Sequence, residues 1–442
     1  MEERRKDRSQ SGQILILLVL ALVGILGFTA LAIDGSMVYS DRRIAQNAAD
    51  SASVAGAGQA GQFLKWQTNT SWDCYAQKLL DAQVIAISEA IANADINDYS
   101  IDDDITDQHG VIVECIDTSD NKYLDVYVNI TDETPTSFAH LIYQGPLVNT
   151  VAAKTRVYPR SSVAEGFNIV SLTDLCQGNE KGTVFDGGFD VNLEGGIFSH
   201  SCLILTGSSG SINADSLYWM YEDGFQYNEN ISMTVGYTEE TTTPLPITIG
   251  TPNCIGTYGD VPVDPEIVDE LLEPGYYTGL SVTSVNDNLI MADGLYCFDG
   301  QFRFSGNKLT ATHVTIAMVG NKGLDITGNG TVTMRPPPSD CGDPGVSYDV
   351  SCPPAIGGLL IWVDESIKFP VVLIGGSESE IDGTIYHPGG AIEIGGTADA
   401  DSVEFGTQLI GDTIKVHGTT TVNLTYDETY FYHEDAKFDI VE

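Results

Sequence analysis

Asp382, Glu393 and Glu404 stand on short apolar runs that read as successive strands, so their carboxylates could share one sheet face. Carboxylates gathered in that way are the equipment of glycoside hydrolysis, one as acid and the other as base or nucleophile. Calcium-assisted elimination needs an Arg base beside such carboxylates. Only Arg303 and Arg335 supply arginine between residues 161 and 442, Arg303 lies inside a repeat unit, and the seven histidines are scattered singly. No Ser-His-Asp order, nucleophile elbow or phosphate-cradling glycine loop is present. A solvated acidic face accounts for the three carboxylates, so no catalytic residue is assigned and the chain is read as non-enzymatic.

A second acidic cluster, residues 95–107 (DINDYSIDDDITD), offers Asp102, Asp103, Asp104 and Asp107 as calcium ligands. It lacks the mid-loop Gly and closing Glu of an EF-hand, so it reads as an exposed loop, and no cofactor other than calcium is considered. Eight cysteines without a Cys-x-x-Cys point to disulfides rather than to zinc or redox chemistry. The pairing preferred is sequential, Cys74 with Cys115, Cys176 with Cys202, Cys254 with Cys297 and Cys341 with Cys352, although connectivity does not follow from sequence.

The elements that must position these groups begin with Ile14 to Ile33, a run of 20 residues without a charge. As a helix it would reach about 30 Å, the thickness of a bilayer's hydrocarbon core. Arg4, Arg5, Lys6 and Arg8 precede it, which places residues 1–13 in the cytoplasm and the bulk of the chain outside, a single-pass arrangement in the cell membrane. Ala30-Leu31-Ala32 has the form of a signal-peptidase site, but the apolar run before it is longer than signal peptides use, so retention is expected. Asp34 and Gly35 mark the exit from the apolar zone. Beyond them Ala45, Ala48, Ala52 and Ala55 recur on one helical face, where small side chains let another backbone approach.

Gly12-Gln13, the apolar span, Ala32-Ile33-Asp34, then Tyr39, Arg42, Arg43, Gln46, Asn47, Ala48, Ala49, Asp50 and Ala52 follow one another in a specific order. This combination resembles the N-terminal module of the TadE/TadG-like proteins of tight-adherence (Flp) pilus assembly, and the likeness extends more weakly to about Arg160. The resemblance implies a helix face at Ala45, Ala48, Ala52 and Ala55 that packs on a partner, and partners among pilus or cell-envelope proteins. Prepilin-type cleavage after Gly12 is coupled in the pilin group to a Glu at the fifth mature position; that position is Leu17 here, against processing.

Residues 34–160 read as a small pilin-like α+β domain. A second helix is expected over 73–94 with Leu79, Leu80, Val84, Ile87 and Ile91 on its apolar stripe, after a Gly/Gln-rich break at 56–69. A hairpin follows, 111–116 with 123–130, then a short helix at 137–142 and a strand at 148–157. The intervening Asp117-Thr118-Ser119-Asp120-Asn121 is similar to the metal-adhesion loop of von Willebrand A domains, but Asn121 replaces the required Ser and a strand follows, so it reads as a turn.

From Phe167 onward an apolar-x-apolar-x-Gly unit recurs, beginning at Val191, Phe302, Leu324, Val371, Ile392 and Ile414. Offsets near 22 between several of these are the period of one coil of a parallel β-solenoid, so 161–442 is read as an all-β parallel solenoid (β-helix) with loop insertions at about 238–274 and 335–356. Lys plus Arg number 20 against 62 Asp plus Glu, a net charge of −42, with 12 basic and 21 acidic residues falling in 1–160. Nucleic acid is therefore excluded as a partner of the bulk of the chain. Together these features point to a membrane-anchored structural or accessory component of a tight-adherence pilus or related adhesion apparatus. It would contact lipid through residues 14–33, and envelope proteins and surface glycans beyond them. The alternative is a membrane-tethered protein that binds or degrades polysaccharide.

Overall fold

Alanine lines the facing surfaces of the first two helices, and that choice sets how closely they pack. The computed structural model describes residues 11–441 apart from 70, 106–107, 119–120, 140–144, 178–180, 342–353, 377–378, 397–401, 419–420 and 435–436. Helix α1 (Ser11–Phe63) is continuous for 53 residues, about 80 Å at helical rise. It runs unbroken through Asp34-Gly35 and through the expected break at 56. Gly56 is required there not to end the helix but to admit a neighbour, because a Cβ would lie 2.6 Å from the Ala86 carbonyl oxygen.

Helix α2 (Gln77–Ile96) buries Leu79, Ala82, Ala86, Ala90 and Ala94. Of the expected stripe Leu79 is buried and Ile87 and Ile91 pack against the core, whereas Leu80 and Val84 are 43% and 66% exposed and alanines take the closest contacts. Small side chains on both helices win this face because they permit the shortest interhelical approach. Strands β1 (Gly110–Asp117), β2 (Lys122–Thr134) and β3 (Leu147–Val157) form an antiparallel sheet. Inward-facing Leu124, Val126, Val128 and Ile130 alternate along β2 and close the core under the helices. The expected solenoid span ends early: residues 435–442 belong with 1–160, since strand Phe438–Ile440 pairs antiparallel with β3. Of the short helix expected at 137–142, residues 140–142 lie outside the described residues.

The second unit, 161–434, is a parallel β-solenoid. Phe302, Leu324, Val371, Ile392 and Ile414 stack in direct register, each on the next coil, with Phe304, Ile326, Leu373, Ile394 and Val416 beside them. All ten are buried. The coil between Leu324 and Val371 carries the Pro-rich 335–356 excursion. The Val191 unit is not in this column. It stacks on Val422, on another face, and the column continues from Ile414 to Thr183 and Leu203. An apolar-x-apolar-x-Gly sequence closes a strand at any corner of the coil, so the pattern marks coils without saying which face.

Pairing of Ile414 with Thr183 and of Leu409 with Ile169 exposes an order that chain position conceals. The chain enters the stack in its middle, winds outward to Ile231–Glu240, crosses back along the outside and starts again at 271–277. It then winds until its last coils dock on the first. Residues 241–258 are the return strap, the first part of the expected 238–274 excursion. The strap covers an outward ladder of Phe198, Val170, Ile410, Tyr386, Trp362, Ala317 and Cys297, one residue per coil. It is held by the amide of Leu245 donating to His200 Nε2 (3.3 Å), by the Tyr258 hydroxyl donating to the Leu295 carbonyl (2.7 Å) and by the Cys254–Cys297 disulfide.

Where the last coils meet the first, the seam is polar and buried. The Thr384 hydroxyl donates to Gln408 Oε1 (3.3 Å), and Gln408 Nε2 donates to the Ser162 hydroxyl (2.6 Å) and the Phe167 carbonyl (3.1 Å). The backbone leaves beside where it came in, Glu434 N–H donating to the Ser161 carbonyl at 3.1 Å.

Candidate functional site

The apolar side chains of residues 14–33 point outward along α1, with Ile14, Leu17, Val23, Phe28 and Leu31 between 60% and 77% exposed. One stretch of the described residues is thus long and apolar enough to cross a membrane, and none of the other described residues covers it. It ends at Asp34, whose side chain is only 3% exposed. The Asp34 carboxylate accepts from three successive backbone amides, Ser137 at 3.0 Å, Phe138 at 3.1 Å and Ala139. Three converging N–H dipoles give a buried carboxylate charge-assisted partners that lie far away in sequence. Asp34 is therefore a clasp between the base of the apolar helix and the segment after β2. In sequence Asp34 reads only as the exit from the apolar zone; the signal of the clasp is an acid at the end of an apolar run together with a distant Pro-Thr-x-Phe-Ala segment.

Of the alanines assigned to a partner interface, Ala45, Ala48 and Ala52 are buried and Ala55 is half-buried, against α2, β2 and β3 of the same unit. Polar bonds fasten the contact, Ser53 with Thr155 at 2.9 Å and Ser51 with Asn93 at 2.8 Å. The opposite face of α1 is what remains open: Tyr39 is 72% exposed, and Arg42, Arg43, Ile44 and Asn47 are exposed around it.

The disulfides Cys74–Cys115, Cys176–Cys202 and Cys254–Cys297 are formed. Cys341 is disulfide-bonded as well, while Cys352 lies outside the described residues. Among the calcium candidates the side chains of Asp102, Asp103 and Asp104 are exposed and Asp107 is outside the described residues. No group of three His, Cys, Asp or Glu among the described residues is arranged to hold a metal.

Asp382 and Glu404 share the outward face of adjacent coils, Glu404 opposite Glu380 and Asp382 opposite Gly406, while Glu393 stands apart from them. Asp382 accepts from Arg335 Nε at 2.7 Å, and burial holds its carboxyl above the ordinary carboxylate range against the opposing pull of Arg335. Glu404 accepts from Asn423 at 2.7 Å, and Glu393 stands beside Lys415 on a different face. Arg335 is shared between Asp382 and Glu380, and Glu393 lies 3.8 Å from His417 Nε2. A cavity of about 430 Å³ is lined by Lys181, Val184, Glu393, Ile414 and Lys415 among others.

Residues 12–59 match the model of a family described as putative Flp pilus-assembly TadE/G-like. The match spans the apolar run, Asp34 and the buried alanine face, so this stretch is a TadE/G-like module. No curated protein and no solved structure matches the chain.

Proposed function

We propose that this chain is a non-enzymatic accessory component of a Flp-type pilus or related adhesion apparatus, anchored by residues 14–33 with its N-terminus cytoplasmic and its solenoid outside the cell. The TadE/G-like match over 12–59, on a helix whose apolar span is exposed on every side, is the observation that carries this reading. The exposed face of α1 at Tyr39, Arg42, Arg43 and Asn47 is then the surface that meets pilus or envelope proteins, since the alanine face is occupied within the unit. Replacing Tyr39 with Ala and Arg43 with Glu, both exposed, should abolish co-purification with pilus components while leaving the melting temperature unchanged. Undiminished recovery of those components counts against the reading, as does depolymerisation of an acidic glycan by the purified chain.

A further inference from the structure

Each coil of a solenoid hands its free backbone groups to the next, so the terminal strand is left with a row of unpaired N–H and C=O groups and an open core. The two ends of this stack treat that problem differently. At one end, Val263 pairs with Tyr277, exchanging backbone bonds with Tyr276 and Thr278, and Val268 bridges to Leu271, so the first coil is covered by its own leader. At the other end, Ile231–Glu240 pairs with Ser209–Trp219 on one side, and among the described residues no strand pairs with its other side. Only Ile231 is buried along its ten residues.

Register shows what this leaves open. Met233 sits on buried Ile212, Val235 on buried Ala214 and Tyr227 on buried Leu205, so these three continue inward-facing columns. Yet Met233 is 37% and Tyr227 53% exposed, because among the described residues no further strand stacks on them. Edge strands are ordinarily guarded by a charge, a proline or a bulge, whereas Ile231 to Tyr237 (ISMTVGY) has neither charge nor proline and pairs without a register shift. Carboxylates flank it instead, Glu229 before and Glu239 and Glu240 after.

We propose that this edge receives an extended segment of a partner protein as one more strand, its alternate apolar side chains covering Met233, Val235 and Tyr227 and its Lys or Arg residues facing Glu229, Glu239 and Glu240. The backbone groups supply the binding, and the flanking acids select a basic strand. A second copy of this chain is the wrong occupant. Antiparallel pairing about a two-fold axis would set Glu239 and Glu240 toward Glu229 of the other copy, and each chain carries −42. The inference does not depend on the pilus reading.

The test uses the full chain in detergent micelles and a fluorescein-labelled synthetic peptide, KVTVTVTVTK, titrated by anisotropy. Saturable binding is expected, at least about tenfold tighter than for the Glu-flanked EVTVTVTVTE and weakening with added salt. Met233→Lys should weaken it about tenfold, while Val261→Lys at the covered end leaves it unchanged. In the unsubstituted chain, hydrogen exchange at residues 232–237 should slow when the Lys-flanked peptide is present, which reads the edge directly even where Met233→Lys perturbs folding. Absence of saturable binding, equal binding of both peptides, unaltered exchange at 232–237, or a concentration-dependent dimer that Met233→Lys dissolves would each overturn the proposal.

Discussion

His387 shows how much a single buried side chain can carry. It is fully buried, its Nε2 bonds the Phe369 carbonyl at 2.8 Å, and its Nδ1 has no hydrogen-bond partner among the described residues. Burial, with Lys368 adding to it, pushes the imidazole down to about 4 against the opposing pull of the Phe369 carbonyl. Folded, it stays neutral at pH values where the unfolded chain has already taken up a proton. Stability of the solenoid should therefore be full above the ordinary histidine pKa, fall as pH drops through 6.5, and level off near 4, a loss of about 3 kcal/mol. His200, whose Nε2 accepts from the strap and whose pKa burial also lowers, acts in the same direction. Chemical denaturation between pH 7 and 4 measures this, and His387→Gln should flatten most of the slope. At Asp34, Asn substitution keeps one acceptor but turns an amide N–H toward backbone donors. A loss of about 2 kcal/mol in the unit formed by 1–160 with 435–442 is expected, read by hydrogen exchange in β2 and β3.

At the scale of elements, α1 and α2 are legible in the sequence as helices but not as partners of each other. A stripe of alanines declares only that something approaches closely, and the large residues of α2 suggested a different buried face. Leu80 and Val84 are exposed because one leucine between the helices would force apart contacts that Gly56 and Ala86 make at backbone distance. Ala48→Leu should accordingly lower stability by about 2 kcal/mol through overpacking, in purified protein with no partner present, as thermal unfolding would report. If α1 instead met its partner only in trans, the isolated chain would be indifferent to that change. The hairpin and the 302–414 column were readable because their pairing is local or periodic. Asp34 was not, because its donors lie about a hundred residues away.

Across the whole molecule, the solenoid's existence followed from spacing, while its order of stacking did not. Coils repeating near 22 residues imply neighbours in sequence are neighbours in space, and the pairing of Ile414 with Thr183 breaks that rule once. No local pattern encodes such a closure; it is specified by the buried polar seam at Thr384, Gln408 and Ser162. Gln408→Leu should cost about 2 kcal/mol by leaving the Ser162 hydroxyl and Phe167 carbonyl without their donor, and should loosen the seam first in hydrogen exchange. The candidate carboxylates, by contrast, were legible as residue types but not as a site, since face assignment depends on register that spacing alone leaves open. The central claim is that one helix holds the chain in a membrane with its solenoid on the outer side. Treating intact cells with a membrane-impermeant protease tests it most directly. The account predicts that residues beyond α1 are digested while an N-terminal fragment containing residues 1–33 stays in the membrane. Full protection of the solenoid, or release of the whole chain by alkaline carbonate, would contradict it.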